Sequence, residues 1–105
     1  MISDERAEKA LRYLASTDES CGAAKAHQER MEYKAKAVRQ QVFLIEEGTV
    51  AERQAKAEVD HDHQNALEEY FDAMKTYSAI ANKRETERIV LDTWRTISAN
   101  RRSGA

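Results

Sequence analysis

The sequence predicts an all-α protein: a long antiparallel helical hairpin of coiled-coil character, its first arm kinked, completed into a bundle by dimerisation. Three observations predict it. Core-type positions alternate three and four residues apart without a break through Ala7, Ala10, Leu14, Thr17, Cys21, Ala24, Gln28, Met31, Ala35, Val38, Val42 and Ile45, which is a heptad seam. The chain has no proline and only three glycines, so little in it interrupts a helix. Charged residues make up 34% and hydrophobic ones 41%, leaving apolar surface for a stripe between solvated faces.

All 105 residues are read as one helical domain. A short first helix is expected over about 4–15, ending where Ser16-Thr17-Asp18-Glu19 offers a capping box and two acids suited to a helix N-terminus. A second helix, about 17–47, keeps the heptad phase of the first, so the join is a kink. Gly22 within it lowers propensity and allows a neighbour to approach closely. Gly48 suits the left-handed residue that ends a helix. Thr49 with Glu52 three residues on is a capping box that starts the next helix. From there to about Asn100 no proline or glycine intervenes, and one helix over about 50–100 is expected.

Closing the hairpin at Gly48 sets residue i roughly opposite residue 97 − i, by simple counting about that turn. Lys25, Arg30, Lys34, Lys36 and Arg39 then face Glu58, Asp60, Asp62, Glu68, Glu69 and Asp72. Asp4, Glu5, Glu8, Asp18 and Glu19 lie across from Lys83, Arg84, Arg88 and Arg95. Exposed pairs contribute only about 0–1 kcal/mol each, so the pattern sets orientation more than stability.

That pairing bears on function. Lys83, Arg84, Arg88, Arg101 and Arg102 form the candidate nucleic-acid-binding stripe, yet most of them answer the acidic first helix. Only Arg101 and Arg102 reach beyond it. A net charge of −2 argues against a protein that coats DNA generically. The second arm is apolar over more width than one partner helix needs. Leu67, Tyr70, Phe71, Met74, Tyr77, Ile80 and Trp94 are the candidate interface residues for a dimer, Trp94 chiefly as a core anchor near Leu11, Leu14 and Ile2.

Glu58 and His61 stand three apart, the Glu-x-x-His spacing of di-iron bundles. One such motif is half of what a di-metal site requires, and His61 and His63 diverge on a helix, so a solvated segment is the expectation. No metal, cofactor or catalytic residue is predicted: there is no phosphate loop, Cys-x-x-Cys or nucleophile elbow. Cys21, the only cysteine, allows no intrachain disulfide and fits a reducing cytoplasm. No apolar run approaches the ~20 residues of a membrane span, and the first residues carry no signal-peptide pattern.

Lys9-Ala10-Leu11-Arg12-Tyr13-Leu14-Ala15, Thr17-Asp18-Glu19, Ala24-Lys25-Ala26, Gly48-Thr49-Val50-Ala51-Glu52-Arg53, and Trp94-Arg95 through Ala99-Asn100-Arg101-Arg102 together resemble a group of small, mostly uncharacterised helical proteins encoded by tailed bacteriophages and prophages. The resemblance implies a phage protein in the cytoplasm of an infected bacterium, associated with DNA replication or recombination, and it assigns no residue a role. The leading expectation is a non-enzymatic accessory protein acting through protein contacts. Direct nucleic-acid binding through the basic stretch is the alternative. A third is inhibition of a host defence protein through the acidic face from Glu58 to Asp72.

Overall fold

In a computed structural model, which describes residues 1–104, the chain forms three helices and, among those residues, no strand. They are α1 (Asp4–Ile45), α2 (Val50–Val59) and α3 (His61–Gly104). The all-α class is as expected; two of the element boundaries are not.

α1 begins where Ser3 Oγ accepts from the Arg6 amide at 3.0 Å, with Asp4 and Glu5 at the positive end of the helix. It then runs unbroken past Ser16–Glu19, so the expected division into helices over about 4–15 and 17–47 does not occur. The reason is local. The Ser16 and Thr17 hydroxyls both donate back to the Tyr13 carbonyl, at 3.1 and 2.7 Å, and satisfy themselves inside the helix. Without a freed amide to cap, the capping-box residues cannot start a new one. Gly22 is open on its side-chain face, with nothing within 4 Å of an added Cβ, so it serves no close approach.

Gly48 takes φ +119°, and Thr49 caps α2 by accepting from the Glu52 amide at 3.2 Å. The helix expected over 50–100 is interrupted at Asp60, which has extended ψ of 138°. Its carboxylate accepts from the amides of Asp62 (3.0 Å) and His63 (3.1 Å), and its carbonyl from Gln64 (2.9 Å). An aspartate side chain competes for these amides and so ends α2 while capping α3.

The chain packs as two compact units, one from Met1–Gly22 with Ser78 and the residues after it, the other from Ala23–Tyr77. In each, a piece of α1 runs antiparallel to a piece of α3. The first unit centres on Ala7, Ala10 and Leu91, with Leu14, Val90 and Trp94 against them. The second buries Ala35, Val42, Ala57, Ala66 and Ala73. Most of these are alanines, each methyl contributing about 0.8 kcal/mol, and no large side chain is fully buried. The α1 seam is buried or half-buried from Ala7 to Val42 and fails only at Ile45, which is 78% exposed beside the turn.

Polar contacts align the pieces. In the first unit Arg6 Nη2 donates to Glu87 Oε1 at 2.9 Å, and its Nη1 lies 2.6 Å from Oε2 as an ion pair. Arg84 reaches the Leu14 carbonyl (2.7 Å), Thr17 Oγ1 (2.8 Å) and Asp18 Oδ1 (3.0 Å). In the second, Lys34 meets Glu69 at 2.8 Å and Arg39 meets Glu58 at 2.5 Å. The Arg53 guanidinium stacks 4.1 Å from the Phe43 ring centroid while Nε donates to the Phe43 carbonyl at 3.0 Å.

Candidate functional site

The basic residues fall into two groups. Lys83 sits over the Tyr13 ring at 4.5 Å, Arg84 is tied into α1, and Arg88 is held by Glu85 at 2.5 Å and Asp92 at 3.2 Å. Hydrogen bonding to Glu85 raises the Arg88 pKa, and the same bond lowers that of the Glu85 carboxyl. These three cations are already answered from within. Arg101 has the Met1 sulfur as its one hydrogen-bond partner, and neither it nor Arg102 makes an ion pair among the described residues. Both line a groove of about 390 Å³ with Asp4, Trp94, Arg95 and Ser98.

Trp94 has two roles in that groove. It packs on the Ala7, Ala10 and Leu91 cluster, and its Nε1–H donates to Asp4 Oδ1 at 2.8 Å. The expected core anchor is therefore also a groove wall. Its partners on α3 follow at one, four, seven and eight residues, the spacing of one helix face. That arithmetic could have grouped Trp94, Arg95, Ser98, Arg101 and Arg102 from the sequence alone.

The apolar candidates separate too. Tyr70, Tyr77, Ile80 and Trp94 fall on the same three-four repeat as the buried Ala66, Ala73 and Leu91, so they belong to the seam facing α1. Leu67, Phe71 and Met74 share a neighbouring face, with Phe71 half exposed and its ring 5.6 Å from that of Tyr70. At the turn, Leu44 (72% exposed), Ile45 and Val50 present a second apolar group. Of the side chains expected near Trp94, Leu14 packs with it on the Ala7, Ala10 and Leu91 cluster, whereas Leu11 is exposed.

The segment Glu58–His63 is not one solvated helical face. The break at Asp60 puts Glu58 on α2 and His61 on α3, which removes their i, i+3 relation. His61 Nε2 lies 3.2 Å from the Asn65 amide nitrogen. His63 is buried, its Nδ1 3.3 Å from the Ala35 carbonyl oxygen. It stands three residues before Ala66 on the same three-four repeat, and that spacing is the signal that indicates its burial. No group of three or more His, Cys, Asp or Glu converges among the described residues. Of the acidic face, Glu58 and Glu69 pair with α1 and Asp60 caps α3; Asp62, Glu68 and Asp72 stay exposed. No helix of the described residues is long and apolar enough to cross a membrane. The chain matches no protein family, curated protein or solved structure.

Proposed function

We propose that this chain is a non-enzymatic helical accessory protein that works through protein contacts, first with a second copy of itself. The observation behind this reading is the weakness of its own core: small alanine methyls are buried, no large side chain is fully buried, and large apolar ones remain outside. Such a chain gains from added apolar contact. The face of Leu67, Phe71 and Met74 suits self-pairing. Laid antiparallel on its copy, it sets Phe71 against the partner's Met74 twice, a favourable sulfur–aromatic contact. Glu68 and Lys75, both exposed and outside any ion pair among the described residues, then pair twice across the two-fold. Three apolar side chains a side make a small interface, consistent with a dissociation constant on the order of micromolar.

The resemblance to tailed-phage proteins supports a setting in the cytoplasm of an infected bacterium, beside DNA replication or recombination. Leu44, Ile45 and Val50 at the turn are the surface offered there to a phage or host protein. Light scattering after size exclusion, from about 5 to 500 μM, tests the first contact. The expected result is a rise toward twice the chain mass, abolished by Phe71→Glu. A monomer throughout, or a dimer indifferent to Phe71→Glu, refutes it. Co-purification from infected cells tests the second: a replication or recombination protein retained by the parent chain should be lost with Ile45→Glu.

A further inference from the structure

The groove of Asp4, Trp94, Arg95, Ser98, Arg101 and Arg102 has a chemistry that the pairing of helices does not use. One side of the indole is committed to the Ala7, Ala10 and Leu91 cluster, and its N–H is fixed by Asp4 at 2.8 Å. The ring is therefore held in place while part of its surface lines the groove. Three arginines line the groove with it. Arg95 makes one ion pair, 3.7 Å to an Asp92 carboxylate that Arg88 already holds at 3.2 Å. Arg101 leans on a sulfur, and Arg102 has no ionic partner among the described residues. Positive charge thus collects here on a chain whose net charge is −2.

Neutralising the negative end of α3 explains part of this, since Arg101 and Arg102 lie in its last turn. It does not explain Arg95, which is more than two turns back and beyond the reach of that effect. Nor does it require an aromatic ring. A positioned indole beside guanidiniums matches a ligand with a flat aromatic face and phosphates on either side. A duplex hides its base faces in the stack, whereas a single strand presents them. A volume of about 390 Å³ falls in the range of small-ligand sites.

We propose that this groove binds single-stranded nucleic acid, one base stacking on Trp94 and flanking phosphates meeting Arg95, Arg101 and Arg102. The inference does not depend on whether the chain dimerises. It differs from a general basic stripe because Lys83, Arg84 and Arg88 take no part.

Trp94 is the only tryptophan, so its emission reports on the groove directly. The experiment is titration of the full chain with a twelve-residue oligothymidylate at about 20 mM salt, where phosphate contacts are strong. Saturable quenching is expected, with a log–log salt slope near −2, about 0.7 for each of three phosphates. The exposed pair Arg101→Glu/Arg102→Glu should weaken binding ~10-fold or more with the helix content unchanged. Trp94→Ala removes a packed side chain, so the role of stacking is read instead with an abasic oligonucleotide of equal length, expected to bind ~5-fold or more weaker. Absence of quenching to about 100 μM overturns the proposal, a concentration well above ordinary non-specific dissociation constants at low salt. Equal affinity for the abasic strand overturns it as well. So does equally tight binding of a polyglutamate peptide, which would assign the groove to an acidic protein.

Discussion

Leu91→Ala is the sharpest test of where the stabilising burial lies. Leu91 is 7% exposed and sits with Ala7 and Ala10, flanked by Leu14, Val90 and Trp94. Truncation removes three buried carbons, and at about 0.8 kcal/mol each the transfer loss alone is about 2 kcal/mol. The flanking side chains are only partly buried and can close some of the space, so the cavity penalty is small. A total of about 2–3 kcal/mol is expected, the low end of the ~2–5 kcal/mol range for such changes. For a domain near this size that lowers the melting temperature by on the order of 10–20 °C. The control is Ile89→Ala, two residues away and 53% exposed. It should cost less than about 1 kcal/mol, because half of its surface is already wet and alanine is the better helix former. Urea unfolding followed by far-ultraviolet ellipticity and Trp94 emission, at one protein concentration, measures both. Equal losses for the two variants, or less than about 1 kcal/mol for Leu91→Ala, would refute the packing account.

Three other outcomes follow from single positions. Gln28 stands on the seam with a buried Oε1 that has no hydrogen-bond partner; Gln28→Met keeps the length, removes the orphan acceptor and should stabilise by about 1 kcal/mol in chemical unfolding. Gly22→Ala meets nothing within 4 Å and should gain about 0.5–1 kcal/mol, while Gly48→Ala should lose at least about 1 kcal/mol. At Gly48 φ is +119° and a Cβ would lie 2.5 Å from Glu52 Oε2, so melts that rank these two variants the other way would contradict the turn geometry. The hydrogen bond from Arg6 holds the Glu87 carboxyl below its ordinary 4.5. A lowered folded pKa adds stability above pH 4.5 that is lost as pH falls through the folded value. The stability gap between the parent chain and Glu87→Gln, read by urea unfolding at pH 7, 4.5 and 3, should therefore shrink at the lowest pH.

Much of the fold was legible because helical repetition is a long-range signal. Twelve seam positions named from spacing alone include Ala7, Ala10, Ala35 and Val42, all buried, and the Gly48–Thr49 turn has the chemistry its residues announce. What escaped were decisions between competing hydrogen bonds. At Ser16 and Thr17 a cap and an in-helix bond to the Tyr13 carbonyl were both available, and the in-helix bond prevails because the seam keeps its phase across them. At Asp60 the choice goes the other way. A capping aspartate inside a run without glycine or proline looks like any solvated acid until the amides of Asp62 and His63 turn toward it. The same break removed the Glu58–His61 relation, while His63 is buried on the three-four repeat it shares with Ala66 and Ala73. The groove at Trp94 is less legible for a different reason: spacing reads the tryptophan chiefly as a core anchor and groups Arg101 and Arg102 with Lys83, Arg84 and Arg88, whereas the structure sets those two arginines beside the indole.

The polar members of the α1–α3 seam have a role that alanines cannot fill. Alanines that recur at heptad spacing, such as Ala66 and Ala73, discriminate weakly against a slip of one heptad, so the alignment rests on the larger and polar members of the seam. Arg84 does not tolerate such a slip. It donates to the Leu14 carbonyl, Thr17 Oγ1 and Asp18 Oδ1 at 2.7–3.0 Å, and a one-heptad shift would bring Leu91 into its place with no donor to offer. Losing those bonds while the cation is only partly re-solvated costs about 1–3 kcal/mol, enough to select one alignment by about 5- to 150-fold at 1.4 kcal/mol per decade. Arg84→Met keeps the side chain's length and removes Arg84's share of that discrimination, leaving the Arg6–Glu87 pair among the polar contacts that still mark the alignment. Stability should change by no more than about 1 kcal/mol, because an apolar side chain often replaces a buried ion without loss. The alignment should cease to be unique, so the single Trp94 indole proton ought to give more than one nuclear magnetic resonance signal, and the urea transition ought to broaden. One sharp indole signal at the parent position would show that the rest of the seam sets the register without Arg84. A stability loss above about 3 kcal/mol would show instead that Arg84 chiefly supports the fold.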